Sequence, residues 1–263
     1  MTRTYETLAI EMHEPAIAVV RMNREAARNA MNTAMMRDLR DCFMEAYVGQ
    51  GAVNCFVLTG AGDKAFTAGN DLKATASGGT RKGLPPSGFA GLSSRFDLEK
   101  PIIAAVNGFA MGGGFETALS CDIILASDQA RFALPEVKVG FFASASGVQR
   151  LSRYIGRLAA QEMMITGRTI LADEALRLGC VNEVVPHADL MTRAMALAEQ
   201  ICTVSPSSVK ATKRILNSMA VADGLPESLQ YSREVQMDLA KTEDFKEGVQ
   251  AFVEKRKPDW KNR

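Results

Sequence analysis

PIIAAVNGFAMGGGFETALSC, residues Pro101 to Cys121, runs from an apolar strand through a glycine cluster into a helix. Ile102-Ile103-Ala104-Ala105-Val106 is an unbroken apolar run of strand length, stopped by Asn107-Gly108. Met111-Gly112-Gly113-Gly114 then leads into the helix-compatible Phe115-Glu116-Thr117-Ala118-Leu119. Three successive glycines carry an entropic penalty that only a tight approach or unusual dihedrals would offset. At a helix start they also leave amide N–H groups unpaired, where the dipole favours an anion. Such amides suit a phosphate, or a carbonyl oxygen that is becoming an enolate. A phosphate loop fails on spacing, because no lysine follows the glycines and GxGxxG is not formed. Alone, the triplet is as readily a close packing contact as a binding site. Glu116, in the first helical turn, is either a surface carboxylate that suits the dipole or an acid–base group beside an anion site.

Two further segments extend the pattern outward. Lys64-Ala65-Phe66-Thr67-Ala68-Gly69-Asn70-Asp71-Leu72 follows the strand Cys55–Thr59 and offers small residues with accessible amides. Phe132-Ala133-Leu134-Pro135-Glu136 sets a second glutamate after a short extended run; by itself it reads as a loop with a solvated acid. Before them, Leu8–Ile10 and Ala16–Val20 predict a hairpin, and Asn32 or Thr33 caps a helix through about Tyr47. Ser77 to Gly88 has no hydrophobic period and reads as a surface loop, a tolerated insertion or a lid. Beyond the glutamates, Ile123–Ala126 and Val181–Val185 predict strands, with a helix over Asp173–Leu178 ended by Gly179. Strand and helix alternate through the first 200 residues or so, the pattern of an α/β fold. Ser205-Pro206 then opens a helical stretch, with further helices predicted over Pro226–Ala240 and Asp244–Arg256. The organisation expected is a core over 1–204 and a C-terminal helical region over 205–263.

The chain has 263 residues, 47% of them apolar, with a net charge of +1. That balance offers no electrostatic reason for nucleic acid or an anionic membrane as the main partner. The N-terminal residues lack the apolar stretch of a secretory signal, and no apolar run nears the ~18 residues of a membrane span. Five dispersed cysteines form no CxxC, and the two histidines, His13 and His187, lie far apart. Disulfides, a metal site and a Ser-His-Asp triad are poor readings, and a cytoplasmic location is expected.

With its three segments in order, the sequence resembles the enoyl-CoA hydratase/isomerase (crotonase) family. The matching residues are Phe66 to Leu72, Ala105-Val106-Asn107-Gly108 with Gly112-Gly113-Gly114-Phe115-Glu116, Pro135-Glu136 and Gly140. Asn29-Ala30-Met31-Asn32 and the tail Phe252-Val253-Glu254-Lys255-Arg256 extend the likeness from about Thr7 to Trp260. The resemblance implies a spiral of ββα turns with a C-terminal helical region, assembled as a homotrimer or homohexamer. It implies an acyl-CoA thioester as substrate and no cofactor beyond the coenzyme A that the substrate carries. An oxyanion hole would be made by the N–H groups of Ala68 and Gly113, with Glu116 and Glu136 as the acid–base pair. Coenzyme A would contact Ala26, Ala27 and Arg28, then Ala68, Gly69, Asn70, Asp71 and Leu72, with Phe252 and Lys255 from the C-terminal helix.

Carboxylates at both positions favour hydration of a 2-enoyl-CoA, or the reverse dehydration, over a Δ3,Δ2-enoyl-CoA isomerase. A non-catalytic RNA-binding member of the fold is the remaining alternative. Gly88-Phe89-Ala90-Gly91-Leu92, Phe132–Glu136 and Lys257-Pro258-Asp259-Trp260-Lys261 are similar to carnitinyl-CoA dehydratases, which implies a polar acyl chain; Asn70 stands where an aromatic is expected there. The sequence also departs from the family at Glu25 and Ala143, where proline is common. In the loop Gly140–Gly147, expected near the acyl group, Phe141 and Phe142 read as core packing before pocket lining.

Overall fold

A computed structural model describes residues 4–48, 53–76, 85–219, 238, 241–254 and 256–262. The expected hairpin is present as β1 (Leu8–His13) and β2 (Ile17–Met22). It enters a six-stranded sheet ordered β1, β2, β3 (Cys55–Gly60), β5 (Ile102–Val106), β7 (Ile123–Ser127), β10 (Glu183–Val185), parallel from β2 onward. Every residue of β3 and β5 is buried, as parallel strands covered on both faces require. Alternation divides their side chains between two clusters. Phe56, Leu58, Ala104 and Val106 meet the main core, which includes helix α1 (Thr33–Val48). Cys55, Val57, Ile103 and Ala105 meet Leu190, Ala194 and Ala198 of a later helix, Leu190–Cys202. Asn32 is the α1 cap, its Oδ1 accepting the Met35 N–H at 3.0 Å.

A second sheet went unread in the sequence. Its strands are β4 (Ala65–Thr67), β6 (Phe109–Met111), β8 (Arg131–Ala133) and β9 (Ile170–Leu171), in that order. Three of them are three residues long, too short for periodicity to register. Each follows a long strand: β3 feeds β4, β5 feeds β6, and β7 feeds β8, and a helical turn comes after each pair. This repeated strand, strand, helix step is the expected spiral. The Asn107 side chain staples two neighbouring corners, accepting from the Gly60 N–H and donating to the Gly60 and Gly62 carbonyls.

The helices after α1 are α2 (Leu72–Ala76), α3 (Gly113–Leu119), α4 (Gly147–Ile155), α5 (Arg157–Thr166) and α6 (Ala172–Leu178). α7 (Leu190–Cys202), α8 (Pro206–Met219) and α9 (Glu243–Glu254) complete the described set. The sequence reading omitted α4, α5 and α7. α8 is tied back to the first sheet by Lys213–Asp122 at 2.6 Å and Arg214–Glu99 at 2.7 Å. The buried Asp244 of α9 accepts the Lys261 and Asn262 N–H groups and the Ser207 hydroxyl, which holds the chain end against α8. The helix expected over Pro226–Ala240 lies outside the described residues except for Asp238, as do positions 77–84 of the surface loop. No described helix is long and apolar enough to cross a membrane.

Candidate active site

The glycine triplet is both a helix start and a set of close contacts, so the two readings of it are not alternatives. Gly112, at φ 54, precedes α3 and lies under the Glu136 carboxyl; a Cβ there would stand 2.8 Å from Glu136 Oε1. At Gly113 a Cβ would meet the Phe89 ring at 2.5 Å, and at Gly114 the Thr67 carbonyl oxygen at 2.3 Å. Side chains at these positions would push β4 and the Phe89 loop off the helix start. Gly114→Ala is therefore expected to lower stability by about 1–3 kcal/mol, as overpacking does, and to impair activity with it. A thermal melt matching the unaltered protein would contradict that packing.

Glu116 is only 3% exposed, so the surface reading of this residue is overturned. The first N–H of α4, from Gly147, donates to Glu116 Oε1 at 2.8 Å, and Ala145 supplies a second backbone bond. Burial nevertheless dominates, and the nearby Glu136 charge acts in the same direction, so the carboxyl is pushed up to about 7. Glu136 stands in the one-turn 3-10 helix Glu136–Val139, half-buried rather than solvated, and burial raises its pKa as well. Its Oε2 is buried and has no hydrogen-bond partner among the described residues. Two carboxyls of raised pKa thus flank the α3 start, each suited to hold or release a proton near neutral pH.

The strap from Thr67 to Leu72 departs from one expectation. The Ala68 N–H donates to the Arg28 carbonyl at 3.0 Å and is thereby taken up, which corrects its assignment as an oxyanion donor. Met31 pairs with Asn70 as an isolated parallel bridge, its N–H bonding the Gly69 carbonyl and its carbonyl the Asp71 N–H. In such a bridge the central residue's own amide faces the opposite side, so Asn70 N–H points away from Met31. Gly69, at φ 80, lies against the α3 start; a Cβ there would be 3.0 Å from Gly113 N. This approach brings the strap beside the Gly113 amide, the first of α3 and without an intrahelical acceptor.

The remaining expected contacts divide by position. Ala26 and Arg28 are exposed and Ala27 half-buried, in and just after the one-turn helix Glu25–Ala27. That turn is fixed to the strap by Thr67 Oγ1 donating to the Asn29 carbonyl at 2.7 Å. Asp71 caps α2 through the Ala74 N–H and pairs with Arg24 at 3.0 Å; the Ala74 bond first, then Arg24, hold its carboxyl below the usual range. Its side chain is thus committed to structure. Leu72 is exposed. Phe252 lies in α9, whereas its side chain and all of Lys255 lie outside the described residues. Phe141 and Phe142 stack on each other and are each 58% exposed, so the core-packing expectation is overturned; Ala143 beside them is buried. Sequence reasoning assigned no role to Phe89, or to Ala145 and Gly147 as carboxylate donors. The clue to Phe89 was the glycine pair around it: Gly88 and Gly91, with Ala90 between, all take positive φ to seat the ring on Gly113.

Comparison with known proteins follows from this geometry. The family described as "Enoyl-CoA hydratase/isomerase" matches residues 12–263. A carnitinyl-CoA dehydratase of Citrobacter koseri is 40% identical over 262 residues, covering 98% of this chain and 99% of that protein. One from Salmonella paratyphi B is 44% identical over 212 residues, 79% of this chain and 81% of its own. Among solved structures, an enoyl-CoA hydratase from Mycobacterium tuberculosis H37Rv has a TM-score of 0.90 at 34% identity, covering 98% of this chain and 99% of that one. A carnitinyl-CoA hydratase from Mycobacterium avium has a TM-score of 0.76 at 42% identity, covering 99% of this chain and 100% of that one.

Proposed function

Since the chain belongs to the enoyl-CoA hydratase/isomerase family, we propose that Glu116 and Glu136 are the acid–base pair of a hydro-lyase acting on a coenzyme A thioester. The observation that carries this reading is the pair of carboxyls of raised pKa, Glu116 buried and Glu136 half-buried, set against the α3 glycines. Their surroundings divide the roles. Two backbone N–H donors favour the ionised form of Glu116, whereas the unpartnered Glu136 Oε2 favours a proton. In hydration, Glu116 takes a proton from water as its oxygen attacks Cβ. The displaced electron pair moves through Cα to the thioester oxygen, held by the Gly113 and Asn70 N–H groups, and Cα then receives the Glu136 proton. Dehydration is the reverse. Each oxyanion donor is worth about 10²–10³ in rate, or roughly 2.7–4 kcal/mol.

The relatives named for carnitinyl-CoA extend the proposal to a polar, short acyl chain, with Phe89 on Gly113 as one wall of its site. The test is ultraviolet absorbance of the conjugated thioester. Crotonyl-CoA should lose the signal through hydration and carnitinyl-CoA should gain it through dehydration, with kcat/KM at least tenfold higher for the latter. Absence of either change while coenzyme A still binds would sink the hydro-lyase reading. Equal rates would remove only the polar-chain part. Assembly as a homotrimer or homohexamer belongs to the same proposal, supported by apolar side chains left exposed on α5, Leu158 at 85% and Ile165 at 71%.

A further inference from the structure

The turn that supplies both donors to Glu116 is strained. Ser146 has φ 79, a left-handed backbone that disfavours any residue with a Cβ. Its neighbours on either side, Ala145 and Gly147, are the residues whose N–H groups bond the Glu116 carboxylate. N–H groups that flank a left-handed residue converge, which is how backbone nests hold anions. The strain is therefore what lets two donors reach one carboxylate. Gly147 leaves this turn no slack, since a Cβ there would stand 2.8 Å from Ala143 Cβ and 2.8 Å from Glu116 Oε1.

Strain of this kind persists only where the surroundings fix it. Here one residue does so twice. Arg150, further along α4, donates from Nε to Ser146 Oγ at 3.0 Å, and its N–H bonds the Ser146 carbonyl at 2.9 Å. Its guanidinium carbon lies 5.6 Å from the centroid of the Phe96 ring, which backs it from the segment after the Phe89 turn. Ser146 and Arg150 are both half-buried. Glu136 is the charged group that acts on Glu116 from a neighbouring element. On α4, Arg153 is exposed and the Tyr154 hydroxyl bonds the Leu119 carbonyl, which leaves Arg150 as the cation tied to the turn. β4, β6 and the Phe89 turn, which also pack against α3, contain no titratable residue. The two backbone donors are thus what opposes burial and the Glu136 charge at Glu116.

We propose that Ser146 and Arg150 are positioning residues for Glu116: Arg150 locks the left-handed turn at Ser146, and the turn aims the Ala145 and Gly147 N–H groups at the carboxylate. This rests on the reading of Glu116 as the base in hydration, and it adds the residues that keep that base oriented. Loss of the lock should let the donors drift and raise the pH at which Glu116 ionises. Carboxyl-carbon NMR of the glutamate-labelled full chain reads that midpoint without turnover, the Glu116 signal being the one absent in Glu116→Gln. Arg150→Met and Ser146→Ala each remove the Nε–Oγ bond and should raise the midpoint by about one pH unit, the size of one charge-assisted contact. In kcat/KM for hydration the acid limb should move with it, a loss of about tenfold on the acid side that disappears at alkaline pH. Glycine takes a left-handed turn without strain, so Ser146→Gly placed in the Arg150→Met background should bring the midpoint back. An unmoved midpoint in both single variants would overturn the proposal. A raised midpoint that the glycine does not restore would overturn it too, by assigning the shift to the lost arginine charge. So would a rate loss equal at every pH, the mark of a merely structural role. Should the midpoint move and return as expected while no thioester turns over, the hydro-lyase reading would fall and this one would stand.

Discussion

Glu136→Gln is expected to lower kcat for hydration by about 10²–10⁴-fold, the usual contribution of a positioned acid–base group, while KM changes far less. Gln preserves the shape and volume above Gly112, so the fold should survive. What disappears is the proton bound for Cα, and with it the return path of the electron pair from the thioester oxygen. Glu116→Gln should produce a loss of the same order for a different reason, because water then has no base. The two losses should not multiply in the double variant, since the carboxyls act on one water and one substrate. Steady-state kinetics on the three variants decides this. Unaltered kcat in either single variant would remove that residue from the chemistry.

The second large effect is on stability and depends on pH. Glu116 titrates near 4.5 when exposed and at about 7 in the fold, so the folded state binds its proton more tightly than the unfolded chain does. Below pH 4.5 both states are protonated and the native state has its full stability from this group. As pH rises from 4.5 through 7, the unfolded chain ionises first and the stability is lost. A 2.5-unit shift corresponds to roughly 3 kcal/mol. Glu136, also raised, acts in the same sense. Glu116→Gln removes this penalty, so the inactive variant should be the more stable protein at pH 8 and nearly matched with the unaltered one at pH 4.5. Urea unfolding of both at the two pH values measures the difference. Parallel stability curves would show that burial does not penalise the Glu116 charge as proposed. The same penalty explains why such a residue persists only where function requires it.

How much of this was legible beforehand follows from the range of the forces involved. Cys55–Thr59 and Ile102–Val106 read correctly as strands because long apolar runs between turn residues report burial on both faces. A cap was legible at Asn32 or Thr33, and Asn32 is the one that forms it, because a cap is a bond between neighbours three residues apart. The α/β alternation and the glycine start of α3 were equally local. The second sheet was not, because β4, β6 and β8 owe their existence to corners that stack one spiral turn on the next. The chemistry divides along the same line. Two glutamates twenty positions apart are visible in the chain, yet their raised pKa values exist only once α3, the Glu136 turn and the α4 start enclose them. The Ala68 amide looked available because the sequence cannot show that the Arg28 carbonyl folds over it. Phe89 likewise packs on Gly113, a residue more than twenty positions away. Sequence alone therefore determined which short-range structures form and which reactive groups are carried. Their burial, partners and charge states were decided by tertiary packing, because desolvation and long-range hydrogen bonds depend on what surrounds a group in space.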